Sequence, residues 1–411
     1  MYQLPRLYNY YKYHSWSQVN NIVYLTLKKN NKNFRFYIKV PQGFQIAKVN
    51  YKLKELCLHY LFYGLNVNIR KNKGRKEYPS FFLKSNVKGK HCAFSNIALA
   101  YSNGIDSGAC LDMLPKDITY PFFLYRKIDK SDVNLLEEIK LERNRFENHN
   151  YNAFRGVNKI NSTNLYTDQK KIEIIETDFE LVRTFINNDL TVGWNCPFGH
   201  ISILILLSDY YKIGYLALGS TLEARFFGNG NFFHNVLSLS KGESDLITAS
   251  RILNSVNLTL FYPVGGLSEF ITTKIIQDSV LKDICNSCTI SNEVNCNKCI
   301  KCFRKKGIIS EKIKELLNSY PIKESPRINT VYACKKHNYI NSDFINNLLL
   351  KVDLSFLERY YLNYLYPLQN EIHLVPEQFK QCIQKKLESL NINVMKDEDL
   401  SNMKKVKKYF N

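Results

Sequence analysis

The 411-residue chain has no long uninterrupted apolar run. Its first residues, Met1-Tyr2-Gln3-Leu4-Pro5-Arg6, carry no stretch of the kind a secretory leader needs, and Lys and Tyr recur too early for one to start later. The most apolar window, Ile201 to Leu218, is broken by Asp209 and Lys212 and reads as a helix followed by a buried strand, not as a bilayer span. These absences predict a cytoplasmic protein without membrane association. Acids are scarce as well: 37 Asp and Glu stand against 57 Lys and Arg, a formal net charge of +20. No internal repeat is visible.

What is present describes a folded protein of two or three domains. Hydrophobic residues make up 45% and aromatic residues 13%, enough for a large core and too much for a disordered chain. The charge is unevenly spread. Residues 1–95 hold 18 Lys and Arg against 2 acids, whereas residues 96–302 hold 20 against 23. A basic segment joined to a near-neutral one fits a polyanionic partner such as nucleic acid, or a partner protein with an acidic tail. A compositional bias toward Lys, Asn and Ile would supply the same lysines without selecting them for binding.

Three regions follow. Residues 1–94 are expected to form a basic α+β domain: Asn21 to Leu27 and Phe34 to Val40 alternate as a hairpin, a helix contains Leu53 to Tyr63, and Arg70 to Lys76 is a basic loop. In residues 95–310, strand-like runs at Ile97–Tyr101, Tyr120–Tyr125, Ile172–Ile175, Ile213–Leu218 and Leu258–Tyr262 alternate with helical patterns, notably Phe198 to Tyr211. Alternation of that kind predicts an α/β fold with a doubly wound parallel sheet, in which ligands sit beyond the carboxyl ends of the strands. Residues 311–411 read as a helical extension, with a helix from about Ser310 to Leu317 and a basic end at Lys404 to Lys408.

Directly after the first of those strands comes Ser102-Asn103-Gly104-Ile105-Asp106-Ser107-Gly108, followed by helix-compatible Ala109 to Leu114. A strand turning tightly into a helix presents backbone N–H groups and the positive end of the helix dipole to an anion, and phosphate is the natural guest. Gly104 would allow close approach and unusual dihedrals, Ser102 and Ser107 could offer hydroxyls to phosphate oxygens, and Asp106 could help hold Mg²⁺. The loop lacks the lysine of the Gly-x4-Gly-Lys-Ser/Thr phosphate loop.

Of eleven cysteines, five fall between Cys285 and Cys302. In a reducing compartment clustered cysteines point to a metal. Cys288-x7-Cys296-x2-Cys299-x2-Cys302 could close a tetrahedron of four thiolates around Zn²⁺, leaving no open position and so a structural, non-catalytic metal. Cys285 is a fifth candidate that spacing does not exclude.

The turn resembles the Ser-x-Gly-x-Asp-Ser signature of the PP-loop ATP pyrophosphatases, with Asn103 where a second glycine is usual; Asn tolerates the left-handed backbone such a turn needs. Together with the cysteine spacing, the chain resembles the 7-cyano-7-deazaguanine synthases over about residues 95–310. Gly193-Trp194-Asn195, Leu216-Ala217-Leu218-Gly219, Phe261-Tyr262-Pro263-Val264 and Cys302-Phe303-Arg304-Lys305 are similar to segments of that family. The resemblance implies an adenine nucleotide α-hydrolase-like fold with a zinc lobe. It also implies ATP held by Ser102, Asn103, Gly104, Asp106, Ser107 and Gly219, with Asp106 and Ser107 central to catalysis. The implied reaction adenylates a carboxyl-bearing deazaguanine, releases pyrophosphate and lets ammonia or another amine attack. Relatives with extra domains accompany phage defence. Trp194, the stretch Arg225 to Asn231 and the region of Ser268-Glu269 depart from the family's pattern around the substrate, which favours ATP use over the deazaguanine itself. Two further readings remain: a PP-loop amidotransferase or thiolation enzyme, and a nucleic-acid-binding scaffold on the same fold.

Overall fold

The computed structural model describes residues 14–29, 31–63, 94–127, 131–132, 143–164, 171–179, 181–182, 199–221, 252–286, 300–306, 315, 333–334 and 375–393. Arg70 to Lys76, Gly193-Trp194-Asn195, Arg225 to Asn231, Cys288, Cys296, Cys299, Lys404 to Lys408 and all of Ser310–Leu317 but Glu315 lie outside the described residues.

The chain first forms a meander of β1 (His14–Val19), β2 (Ile22–Lys29) and β3 (Lys32–Lys39), antiparallel throughout, with Val19 opposite Ile22 and Lys29 opposite Lys32. Asn20 and Asn31 take left-handed backbone at the two turns, which asparagine accepts more readily than other side-chain-bearing residues. The expected β2–β3 hairpin is present, and β1 adds an edge strand that the sequence reading left unassigned. Helix α1 (Tyr51–Tyr63) follows.

The parallel part of the sheet is built from β4 (Asn96–Tyr101), β5 (Thr119–Arg126), β6 (Glu173–Thr177), β7 (Ile213–Leu218) and β8 (Thr259–Phe261). Between and after them lie α2 (Ile105–Met113), α3 (Arg143–Ser162), α4 (Gly199–Tyr211), α5 (Glu269–Gln277), α6 (Ile300–Lys306) and α7 (Glu377–Ser389). The strand order is β1-β2-β3-β6-β5-β4-β7-β8, one mostly parallel sheet of eight strands. The meander joins through β3, where Ile38 pairs with Thr177, the Tyr37 N–H donates to the Asp178 carboxylate at 2.6 Å, and the Thr177 hydroxyl donates to the Tyr37 carbonyl at 2.8 Å.

Strands covered on both faces need apolar residues at successive positions, and these strands supply them. Ala98, Phe122, Leu124, Ile175, Leu216, Leu218 and Leu260 face one core, shared with α1 and α4. Ile97, Leu99, Tyr101, Phe123, Ala217 and Phe261 face the other, shared with α2, α3, α5 and α7. Phe379, Ile383 and Leu387 recur every four residues on α7, so its apolar face, joined by Cys382, packs onto that second core while its remaining residues are polar or charged.

From β4 the chain steps to β5 and β6 on one side, then crosses to β7 and β8 on the other. The direction of winding therefore reverses between β4 and β7. At such a point the connections leaving the two strands diverge and open a crevice at their carboxyl ends.

Candidate phosphate-binding turn

The Ser102–Ser107 segment occupies that place. It leaves the carboxyl end of β4, beside β7, and enters α2 within three residues. Gly104 is the residue flanking the helix start; it has no side chain to cap it, and its backbone is ordinary extended chain at φ −80 and ψ 160. The left-handed dihedral expected of Gly104 falls instead on Asn103, at φ 58. Asn103 therefore serves the bend itself.

The two serines play different parts. Ser107 is buried: its hydroxyl accepts the Ser102 N–H at 3.2 Å and donates to the Gly104 carbonyl at 3.1 Å, tying the turn together from inside. Ser102 is exposed, with its hydroxyl 3.0 Å from that of Ser107 and 3.4 Å from the Gly104 N–H. Of the two hydroxyls expected to meet phosphate, Ser102 is the accessible one, while Ser107 shapes the loop. Asn103 is buried, and Gly104 and Asp106 are partly exposed.

Gly219 lies just past β7 against the first turn of α2. A Cβ there would sit 2.9 Å from both N and Cα of Ser107, so this close approach requires glycine. The two strand ends on either side of the reversal are thus held in backbone contact.

Asp106 stands in the first turn of α2, where a carboxylate suits the helix dipole. Its Oδ1 accepts the Thr272 hydroxyl of α5 at 2.7 Å and Lys305 Nζ of α6 at 2.8 Å. The Lys305 side chain is 1% exposed and that of Asp106 26%, so the ammonium is sealed behind a carboxylate that still reaches solvent. One residue away, Arg304 and Glu269 form a buried two-point ion pair at 2.8 and 3.4 Å. Ser268 caps α5 by accepting the Ile271 N–H. Ser268 and Glu269 therefore start α5 and anchor α6.

Thr272 and Lys305 were not picked out as site residues. Thr272 has no local signal, since a threonine within an apolar helix is commonplace. Arg304 and Lys305 enter the sequence reading only within Cys302-Phe303-Arg304-Lys305, as part of a resemblance and not as site residues.

Cys302 is buried on α6. Its three proposed co-ligands, Cys288, Cys296 and Cys299, fall outside the described residues, so the four-thiolate site is not visible as a unit. Among the described residues no group of three metal-ligating side chains is found. Cys285 is buried with Sγ 3.6 Å from the Tyr101 hydroxyl, facing the turn. Burial, together with the charge of nearby Asp106, raises the Cys110 thiol far above its usual range.

A cavity of about 320 Å³ opens near Ile213 and Leu258, at the amino ends of β7 and β8 and thus at the opposite edge of the sheet from the turn. No helix among the described residues is long and apolar enough to cross a membrane.

Chemically, the turn offers N–H groups and a helix dipole for an anion, a carboxylate for a divalent cation, and a buried lysine that balances this carboxylate. A family of unknown function (DUF6395) matches residues 248–312, the stretch that carries β8, α5, the cysteine cluster and α6. No curated protein and no solved structure gives a significant match.

Proposed function

We propose that the chain is a cytoplasmic ATP-dependent ligase that forms an adenylate and pyrophosphate on an adenine nucleotide α-hydrolase-like fold. The observation that carries this reading is the position of the Ser102–Ser107 turn at the winding reversal, with Gly219 in backbone contact and Asp106 at its rim. The α2 N-terminus would hold the β- and γ-phosphates, and its dipole would stabilise charge on the departing pyrophosphate. Mg²⁺ at Asp106 would neutralise part of the triphosphate charge. Lys305, sealed behind that carboxylate, balances part of its charge from the protein side.

In the first step a substrate carboxylate oxygen attacks the α-phosphorus, the bond between α-phosphorus and bridging oxygen breaks, and pyrophosphate leaves. In the second, ammonia or another amine attacks the acyl carbon of the adenylate, AMP leaves and the nitrogen loses a proton to solvent. The carboxyl-bearing, deazaguanine-like substrate comes from the resemblance alone. Cys288, Cys296, Cys299 and Cys302 would hold Zn²⁺, whose role at four thiolates would be to brace the lobe that delivers α6.

The test is incubation of the full chain with ATP, Mg²⁺, ammonia and 7-carboxy-7-deazaguanine, with products read by mass spectrometry. AMP and pyrophosphate are expected, and Asp106→Asn should slow their formation by about 100-fold or more. Production of ADP and phosphate would rule out α-phosphorus attack. A sulfur-donor requirement in place of ammonia would select the thiolation reading, and a biological effect that survives Asp106→Ala would select the scaffold.

A nucleic-acid partner has its own support. Lys28, Lys32, Arg35 and Lys39 are all exposed on the β2–β3 hairpin, and the Arg35 guanidinium stacks 3.9 Å over the Tyr24 ring.

A further inference from the structure

Asn103 does more than bend the chain. Its side chain is almost completely enclosed, 2% of the residue being exposed, and both side-chain polar atoms are engaged. Oδ1 accepts the Tyr101 hydroxyl at 3.1 Å, Nδ2 donates to the Ile284 carbonyl at 3.3 Å, and the Asn103 carbonyl accepts the Asn286 N–H at 2.8 Å. Three bonds thus tie the turn to β4 and to residues 284–286, the chain entering the cysteine cluster. The remaining wall of the slot is α3. A Cβ on Gly156 would overlap the Asn103 carboxamide, so α3 carries glycine in mid-helix, where alanine is ordinarily the better helix former.

We propose that Asn103 is a positioning residue. It clamps the phosphate turn to residues 284–286 and so presets the nucleotide-binding geometry, and Gly156 is the complementary slot that admits it. A glycine at 103 would permit the bend but keep only the backbone bond to Asn286, losing both side-chain bonds of the clamp. The inference deepens the ATP reading and relies on it only for its nucleotide arm.

The experiment compares the full chain with Asn103→Gly, Gly156→Ala and the double variant, reading amide hydrogen exchange of the ligand-free proteins and Mg·ATP titrations. Asn103→Gly should raise exchange over both 102–108 and 281–286 by about tenfold, since buried hydrogen bonds are lost at once from both segments. It should weaken Mg·ATP binding by a similar factor. Gly156→Ala should lower the melting temperature of the native chain but leave unchanged or raise that of the Asn103→Gly chain, because the overlap is gone and helix propensity then favours alanine.

That dependence of the Gly156→Ala effect on residue 103 is an outcome that a general loosening of the fold would not produce. Unchanged exchange in Asn103→Gly, or equal effects of Gly156→Ala in both backgrounds, would overturn the proposal. If the unmodified chain binds no Mg·ATP, the ATP reading fails, while the exchange and melting arms still decide the clamp.

Discussion

At Gly219 a single methyl group decides whether β7 can end against α2. The contact that a Cβ would meet is backbone, at Ser107, and not the movable tip of a side chain. Gly219→Ala should therefore displace the turn and destabilise the protein by about 1–3 kcal/mol, visible as a lower midpoint in urea. A second prediction concerns thiols. Cys57 and Cys110 are fully buried, and burial drives both far above the usual thiol range, with Asp106 adding to the effect at Cys110. The thiolate is the reactive form, so native-state alkylation at neutral pH should spare both residues, and denaturant should expose them. Rapid native labelling of Cys110 would show that the α2 core is looser than described. The residue scale also marks where sequence reading stopped short. Asn103 was recognised as able to bend left-handed, but nothing local revealed that its side chain reaches Ile284, 181 positions away.

Among the elements, α6 is held to α5 by charge. The Glu269 and Arg304 side chains are 8% and 9% exposed, so losing either leaves the other buried and unpaired. Arg304→Met alone should cost about 3–5 kcal/mol, whereas Glu269→Leu with Arg304→Met should recover much of it. A double-mutant cycle in urea measures this, and additive single effects would contradict it. The strands β4 to β8 were legible because burial on both faces demands apolar runs, and Ile213 to Leu218 matches β7 end to end. Strand β1, HSWSQV, was not, since its apolar content is slight and its pairing with β2 supplies the order. Helix α3, RNRFENHNYNAFRGVNKINS, was also missed: its apolar residues are few, and their packing onto the sheet at Val157 and Ile160 is tertiary information.

For the whole molecule, the expected basic segment is built onto the same sheet as the Ser102–Ser107 turn, and its core residues Leu53, Leu56 and Leu58 belong to the cluster that includes Ile203 and Leu207 of α4. The exposed lysines and Arg35 of β2 and β3 give it an electrostatic face. Binding of a single-stranded oligonucleotide should weaken steeply with added salt, and substituting Lys28, Arg35 and Lys39 together should flatten that dependence. Salt-insensitive binding, or none at low ionic strength, would leave the charge as composition alone. The candidate site was half legible at this scale. Its turn is a local strand-to-helix motif and could be read directly, whereas Thr272 and Lys305 arrive from 166 and 199 residues away.

The central claim is that this turn grips the triphosphate. Its most direct test is calorimetric titration of Mg·ATP into the full chain and into Gly219→Leu, which fills the contact between β7 and α2 and removes no charged group from the chain. The account predicts saturable one-site binding that disappears in the variant while the fold persists by circular dichroism. Equal binding by the two folded proteins would place the nucleotide elsewhere and contradict it.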